Sequence, residues 1–297
     1  MRNIFIEELI KATTKKKNII LLVNDLGFGV VDNFRKKFPK NFFNAGIAEQ
    51  SMIGYAAGLA YSGKHVFVYS INNFVTFRCL EQLRNDVDYH KLPVTIVAVG
   101  SGLDYGALGY SHHGLQDYAL IRTLPNFLIA SPGDTQEARS CIRYLINNPQ
   151  PSYLRLSKDS KYKIHKSIPR IYPGKWIKVL DNNIELQKQK NIFLTTGSVI
   201  EYAKSHILKK ISKCSLYSLP LWGMKYKKYQ YNFLKKYKSV TVIEDHFQDG
   251  GVSSWLSESI TNSNCKTRIF SASISAKIVG KVGNYKFLMK YLKKVIK

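Results

Sequence analysis

Glu49 stands in FFNAGIAEQ, residues 42 to 50, where an aromatic pair leads into a run of small residues. A carboxyl group at a helix start can exchange a proton with a ligand, although the helix macrodipole favours an acid there in any protein. Two later runs supply what such chemistry needs. Residues 70 to 78, SINNFVTFR, carry aromatics able to wall a flat heterocycle. Residues 100 to 114, GSGLDYGALGYSHHG, set the pair His112 and His113 in a glycine-rich loop. Glycine lets backbone approach a ligand closely, and histidine is the side chain most easily tuned for proton transfer near neutral pH.

The elements that must position these groups follow from periodicity. Apolar, β-branched runs predict strands at Asn18 to Val23, His65 to Ser70, Val94 to Val99, Phe127 to Ala130 and Ser152 to Leu156. Helical patterns fall between them at Ser51 to Tyr61, Phe77 to Tyr89 and Asp134 to Leu145. In the last, Asp134 and Glu137 have capping-box spacing. This alternation predicts an α/β fold with mostly parallel, doubly wound sheets. The loops after successive strands then meet at one sheet edge, where open α/β folds place ligands. A Lys, Ser, Pro and Tyr-rich stretch follows, and the pattern restarts with strands at Asn191 to Thr196, Cys214 to Leu219 and Ser239 to Ile243. A Lys-rich helix is predicted from Tyr285 to the end. The expected organisation is a first domain over 1–160, a linker over 161–178 and a second domain over 179–297.

Bulk properties exclude several classes. The chain has 297 residues, 45% of them hydrophobic, which suits two globular domains rather than disorder. Its longest uncharged apolar stretch falls well short of the roughly 20 residues a membrane helix needs, and the N-terminus lacks a signal-peptide pattern, so a cytoplasmic protein is expected. The cysteines at 79, 141, 214 and 265 are too dispersed for zinc. A net charge of +25 raises the question of nucleic acid, but the excess is Lys rather than Arg and is scattered along the chain. It reads as solvated surface, with an anionic substrate or acidic partner as the alternative.

Taken in order, FNAGIAEQ, SINNFVTFRCLEQLRND, GALGYSHHG, LPNFLIASPGDTQEA and PSYLRLSK resemble the pyrimidine-binding domain of transketolases, and the deoxyxylulose phosphate synthases are similar. A fainter likeness to that family's C-terminal domain continues through TTGS at 195–198 and VIEDHFQDGG at 242–251. The resemblance implies thiamine diphosphate as cofactor and makes Glu49 the acid bonded to its aminopyrimidine ring, in a desolvated setting that favours proton sharing. It implies that Phe74 stacks on the pyrimidine, with Ile71 and Phe77 completing an apolar wall, and that Asp25 and Leu26 touch the cofactor. His112 matches a histidine that contacts substrate oxygens. His113 stands where the family usually has Gln, and Lys158 falls where relatives often carry an Arg for a sugar phosphate.

Other positions depart from the family pattern. Leu108 replaces an Asp that fixes a substrate hydroxyl, Gly100 or Ser101 replaces a His or Arg, and Gly29 replaces a phosphate-binding Ser. The expected substrates are sugars or sugar phosphates, with phosphosugar recognition open. The chain also lacks the GDG segment that holds magnesium and diphosphate, and 249–251 read DGG instead. The resemblance therefore implies a split enzyme that transfers a two-carbon ketol unit. An N-terminal partner subunit would carry Mg2+, and the assembly would be a heterotetramer. The alternatives are a β subunit of a 2-oxo acid dehydrogenase-like enzyme, or a noncatalytic basic scaffold that binds nucleic acid.

Overall fold

Strands rich in Val, Ile and Leu, buried along their whole length, form the centre of the larger sheet in the computed structural model, which describes residues 1–158, 162–181, 191–207 and 214–293. Its strands in chain order are β1 (Ile19–Val23), β2 (Phe42–Asn44), β3 (His65–Ile71), β4 (Val94–Val99), β5 (Leu128–Ala130) and β6 (Ser152–Leu156). A second sheet uses β7 (Ile177–Asp181), β8 (Asn191–Thr195), β9 (Ser215–Ser218), β11 (Ser239–Ile243) and β12 (Arg268–Ala272). The short β10 (Leu221–Trp222) crosses back to the larger sheet.

The larger sheet has the order β10-β5-β6-β4-β3-β1-β2 and the smaller one β12-β11-β8-β9-β7. All pairings are parallel except β10 on β5 and β7 on β9. Helices cover both faces, as parallel strands with two apolar faces require. The expected α/β architecture is thus present. Within it β4, β3, β1 and β2 lie side by side and run the same way, so the four segments that follow them share one edge.

Hydrophobic pattern located the central strands, and tertiary contacts decided the exceptions. The helix predicted over Phe77 to Tyr89 is instead a broken run: Asn72–Phe77, Leu80–Gln82 and a π-helical turn at Leu83–Asp88. The break falls at Cys79 (φ −112°, ψ 9°), and the buried carboxylate of Asp88 anchors the far end by accepting from the Asn126 N–H at 2.8 Å. The Lys-rich terminal helix is only one turn, Tyr285–Leu288, followed by a 3-10 turn at Met289–Tyr291. Leu292 bridges to Ile274 and Lys293 N–H donates to the Ser273 carbonyl, which requires extended chain there; residues 294–297 of that predicted helix lie outside the described ones. Strand β7 begins inside the expected linker, and the edge strands β2 and β10 are only three and two residues long, too short to stand out in sequence. The cap at Asp134 is present: its side chain accepts from the Gln136 and Glu137 N–H groups, while Glu137 reaches one residue further back, to Gly133 N–H at 2.7 Å.

Arg155 on β6 joins the two halves. Its guanidinium is fully buried and donates to Asp117 at 2.7 Å, to the Gly114 carbonyl at 2.8 Å and to Asp245, just beyond β11, at 2.8 Å. Tyr118 lies against it, 4.4 Å from ring centroid to guanidinium carbon. Among the described residues no helix is long and apolar enough to cross a membrane.

Candidate active site

The shared edge collects four of the segments singled out from the sequence. Asp25 and Leu26 lie in the turn after β1, Glu49 starts the helix Glu49–Tyr61 after β2, Phe74 and Phe77 lie on the helix Asn72–Phe77 after β3, and the glycine-rich loop follows β4.

Asparagines tie these segments together. Asn44, at the end of β2, accepts from Asp25 N–H at 2.9 Å and Gly46 N–H at 3.0 Å, and donates to the Asp25 carboxylate at 3.1 Å. Asp25 takes a positive φ of 50°, which Asp tolerates better than most residues. Asn73 donates to the carbonyls of Ser111 and His113 at 2.9 and 3.0 Å, docking the loop on the aromatic helix. Asn72 donates to Asp117 at 3.0 Å, linking that helix to the Arg155 cluster. At Gly114 a Cβ would lie 2.7 Å from the Asn72 amide nitrogen, so only glycine permits this approach.

Glu49 is buried, and both carboxylate oxygens are engaged. Oε1 accepts from the Asn24 amide at 2.7 Å, and Oε2 faces Arg78 Nη1 at 3.1 Å. Beside the burial that the sequence leads one to expect, the structure adds a half-exposed guanidinium in contact with the carboxylate. The same guanidinium lies over the Phe74 ring, 4.3 Å from its centroid. His112 meets Phe74 edge-on at 5.1 Å and hydrogen-bonds to the Ser111 hydroxyl through Nδ1 at 3.0 Å. Burial, with a smaller contribution from Arg78, holds the His112 pKa below its ordinary value. Burial also pushes the Cys79 thiol up to about 12, with the Glu49 charge adding to the shift.

The remaining residues divide. Ile71 is half-buried beside the aromatic helix, and Phe77 is 46% exposed, at the rim rather than in a closed wall. His113, expected to bind substrate, is completely buried; Nε2 lies 3.3 Å from the Gly106 carbonyl, so it packs the loop from inside. The Lys158 ammonium sits 5.1 Å from the Tyr105 ring centroid, and that ring is 6.0 Å from His112. A Cβ at Gly100 would come within 2.1 Å of the same tyrosine, so Tyr105 fills the space that a side chain at position 100 would need. Sequence reading missed Asn24 and gave Arg78 no role. The only signal for either was its place in a motif.

A carboxylate at one end of a flat aromatic face, with a planar nitrogen donor lying between them, matches the shape and polarity of an aminopyrimidine. The buried Oδ1 of Asn24 has no partner in this structure, a further polar position beside the carboxylate. The residues present thus fit thiamine diphosphate on its pyrimidine side. Among the described residues no cluster of three or more His, Cys, Asp or Glu could hold a metal ion.

Comparison with known proteins agrees. Residues 1–162 match the transketolase pyrimidine binding domain. A putative transketolase C-terminal section from Methanocaldococcus jannaschii is 32% identical over 295 residues, covering 98% of this chain and 91% of the relative. One of the subunits of an apulose-4-phosphate transketolase from Actinobacillus succinogenes is 30% identical over 270 residues, covering 88% and 83%. A solved split gene transketolase, an inactive beta4 tetramer, superposes with a TM-score of 0.79 at 25% identity, covering 98% and 92%. The chain therefore belongs to the transketolase family, as a C-terminal section that carries the pyrimidine-binding domain.

Proposed function

We propose that this chain is the pyrimidine-side subunit of a two-subunit enzyme that moves a two-carbon ketol unit between sugars or sugar phosphates. One observation carries the proposal: the buried Glu49 carboxylate, fixed by Asn24, beside the flat face of Phe74 at the edge where four loops meet. Bound thiamine diphosphate supplies the electron sink for breaking and forming the carbon–carbon bond next to the ketol carbonyl.

Each residue then has a task. Phe74 offers the stacking face, with Ile71 and Phe77 at its borders and Asp25 and Leu26 shaping the turn beside it. Glu49 holds or releases a proton at Oε2, and Asn24 fixes the direction of the group. His112, whose pKa burial lowers, can donate to a substrate oxygen and take the proton back. Lys158 offers a point charge to an anionic substrate. Buried inside the loop, His113 supports His112.

The partner subunit would contribute the Mg2+ and diphosphate site. Support comes from the apolar side chains exposed on these same loops: Phe28 is 77% exposed, Ile47 81% and Leu108 56%. So many on one edge are more than a monomer usually leaves in water. Two copies of each subunit, a heterotetramer, would cover them.

The test is reconstitution. Mixed with the partner, the chain should show ketol transfer that depends on thiamine diphosphate and Mg2+. Tight binding of thiamine diphosphate by this chain alone would refute the split. Turnover that needs a lipoyl domain would point to the 2-oxo acid dehydrogenase reading, and salt-sensitive DNA or RNA binding without turnover would point to the scaffold reading.

A further inference from the structure

The Arg78 guanidinium occupies the seat that the proposed function gives to the cofactor's ring. It is planar, it lies 4.3 Å from the Phe74 centroid, and it points Nη1 at Glu49 Oε2 across 3.1 Å. The other carboxylate oxygen is already bonded to Asn24 at 2.7 Å, so a ring nitrogen that is to bond Glu49 competes for the oxygen Arg78 holds.

We infer that Arg78 is a positioning residue that blocks the pyrimidine seat in the free subunit and withdraws when the cofactor enters. This rests on the proposed function for the identity of the ligand. The arginine is suited to leaving: its side chain is 50% exposed, its contact with Glu49 is a partly exposed ion pair, and its stem reaches solvent. Glu49, Asn24 and Phe74 are buried or half-buried and stay in place. The free subunit thus keeps its carboxylate paired, and the pair opens only for a ligand that replaces both the stacking contact and the hydrogen bond. A flat aminopyrimidine does so, and an aliphatic ammonium does not.

The experiment uses the full chain without partner, titrated with the neutral probe 4-amino-5-hydroxymethyl-2-methylpyrimidine and followed by ligand-observed NMR. Arg78→Met, which keeps length and loses charge, should bind the probe at least about fivefold tighter than the unaltered chain, equivalent to about 1 kcal/mol. Arg78→Met combined with Glu49→Ala should lose that gain. Equal or weaker binding by Arg78→Met overturns the inference, as does no binding by either protein at millimolar probe, because removing a block must open the seat. Circular dichroism of each variant checks that the fold persists. A reconstituted enzyme that needs no thiamine diphosphate would refute the proposed function, and a fivefold gain in probe binding would still stand beside it.

Discussion

Arg155 and Asp245 form an ion pair of 2.8 Å between β6 of the larger sheet and the end of β11 in the smaller one, with both side chains shut off from water. The same guanidinium holds Asp117 and the Gly114 carbonyl, and Asp117 in turn accepts from Asn72 and the Tyr153 hydroxyl. The join between the sheets therefore also fixes the end of the glycine-rich loop and the start of the helix that presents Phe74.

Asp245→Asn should destabilise the protein. Asp117 still pairs with Arg155 at 2.7 Å, so the loss is that of one buried hydrogen bond between charged groups, about 1.5–3 kcal/mol. Urea unfolding at neutral pH measures this, and a loss under about 1 kcal/mol would show that the join is not needed for stability.

Glu49→Gln should leave the fold intact and lower turnover of the reconstituted enzyme by at least about 10²-fold, the range for losing a proton-transfer group. The amide keeps the Asn24 contact but cannot exchange the proton. Activity within a factor of two of the unaltered enzyme would remove Glu49 from the chemistry.

Asn24→Ala tests orientation rather than proton transfer. A hydrogen bond to a charged group contributes about 1.5–3 kcal/mol, so kcat/KM should fall by roughly 10- to 100-fold. The fold should be little affected, because the Asn24 side chain donates to Glu49 and its Oδ1 has no partner. Unchanged kinetics would mean that Glu49 needs no such guide.

His65 gives a pH signature remote from the site. Burial, and then the nearby Lys16 charge, lowers its pKa to about 4. The unfolded chain therefore takes up this proton first as pH falls, and the His65 contribution, complete above about pH 6.5, declines toward pH 4. The stability advantage of the unaltered protein over His65→Asn should narrow by up to about 2 kcal/mol between pH 7 and pH 5. Denaturant titrations at the two pH values read the difference, and an advantage independent of pH would place His65 in contact with solvent.

Glu49, Phe74 and His112 were singled out in the sequence by the resemblance of their runs to a family, since local composition alone leaves them a first-turn acid, a core aromatic and a loop histidine. The central strands were legible from local pattern, since a parallel strand buried on both faces must be apolar along its length. Local pattern is silent on partners distant in the chain. Nothing near Arg78 in sequence indicates that it crosses 29 positions to pair with Glu49, and nothing near His113 indicates that its ring turns inward to Gly106. The predicted helix over 77–89 breaks at Cys79, and the terminal helix stops where Leu292 is drawn to Ile274. The sequence by itself determined which chemical groups are present and the order in which they reach one sheet edge. Tertiary structure alone decided which of them touch, because burial, charge pairing and hydrogen-bond competition depend on distance in space and not on separation along the chain.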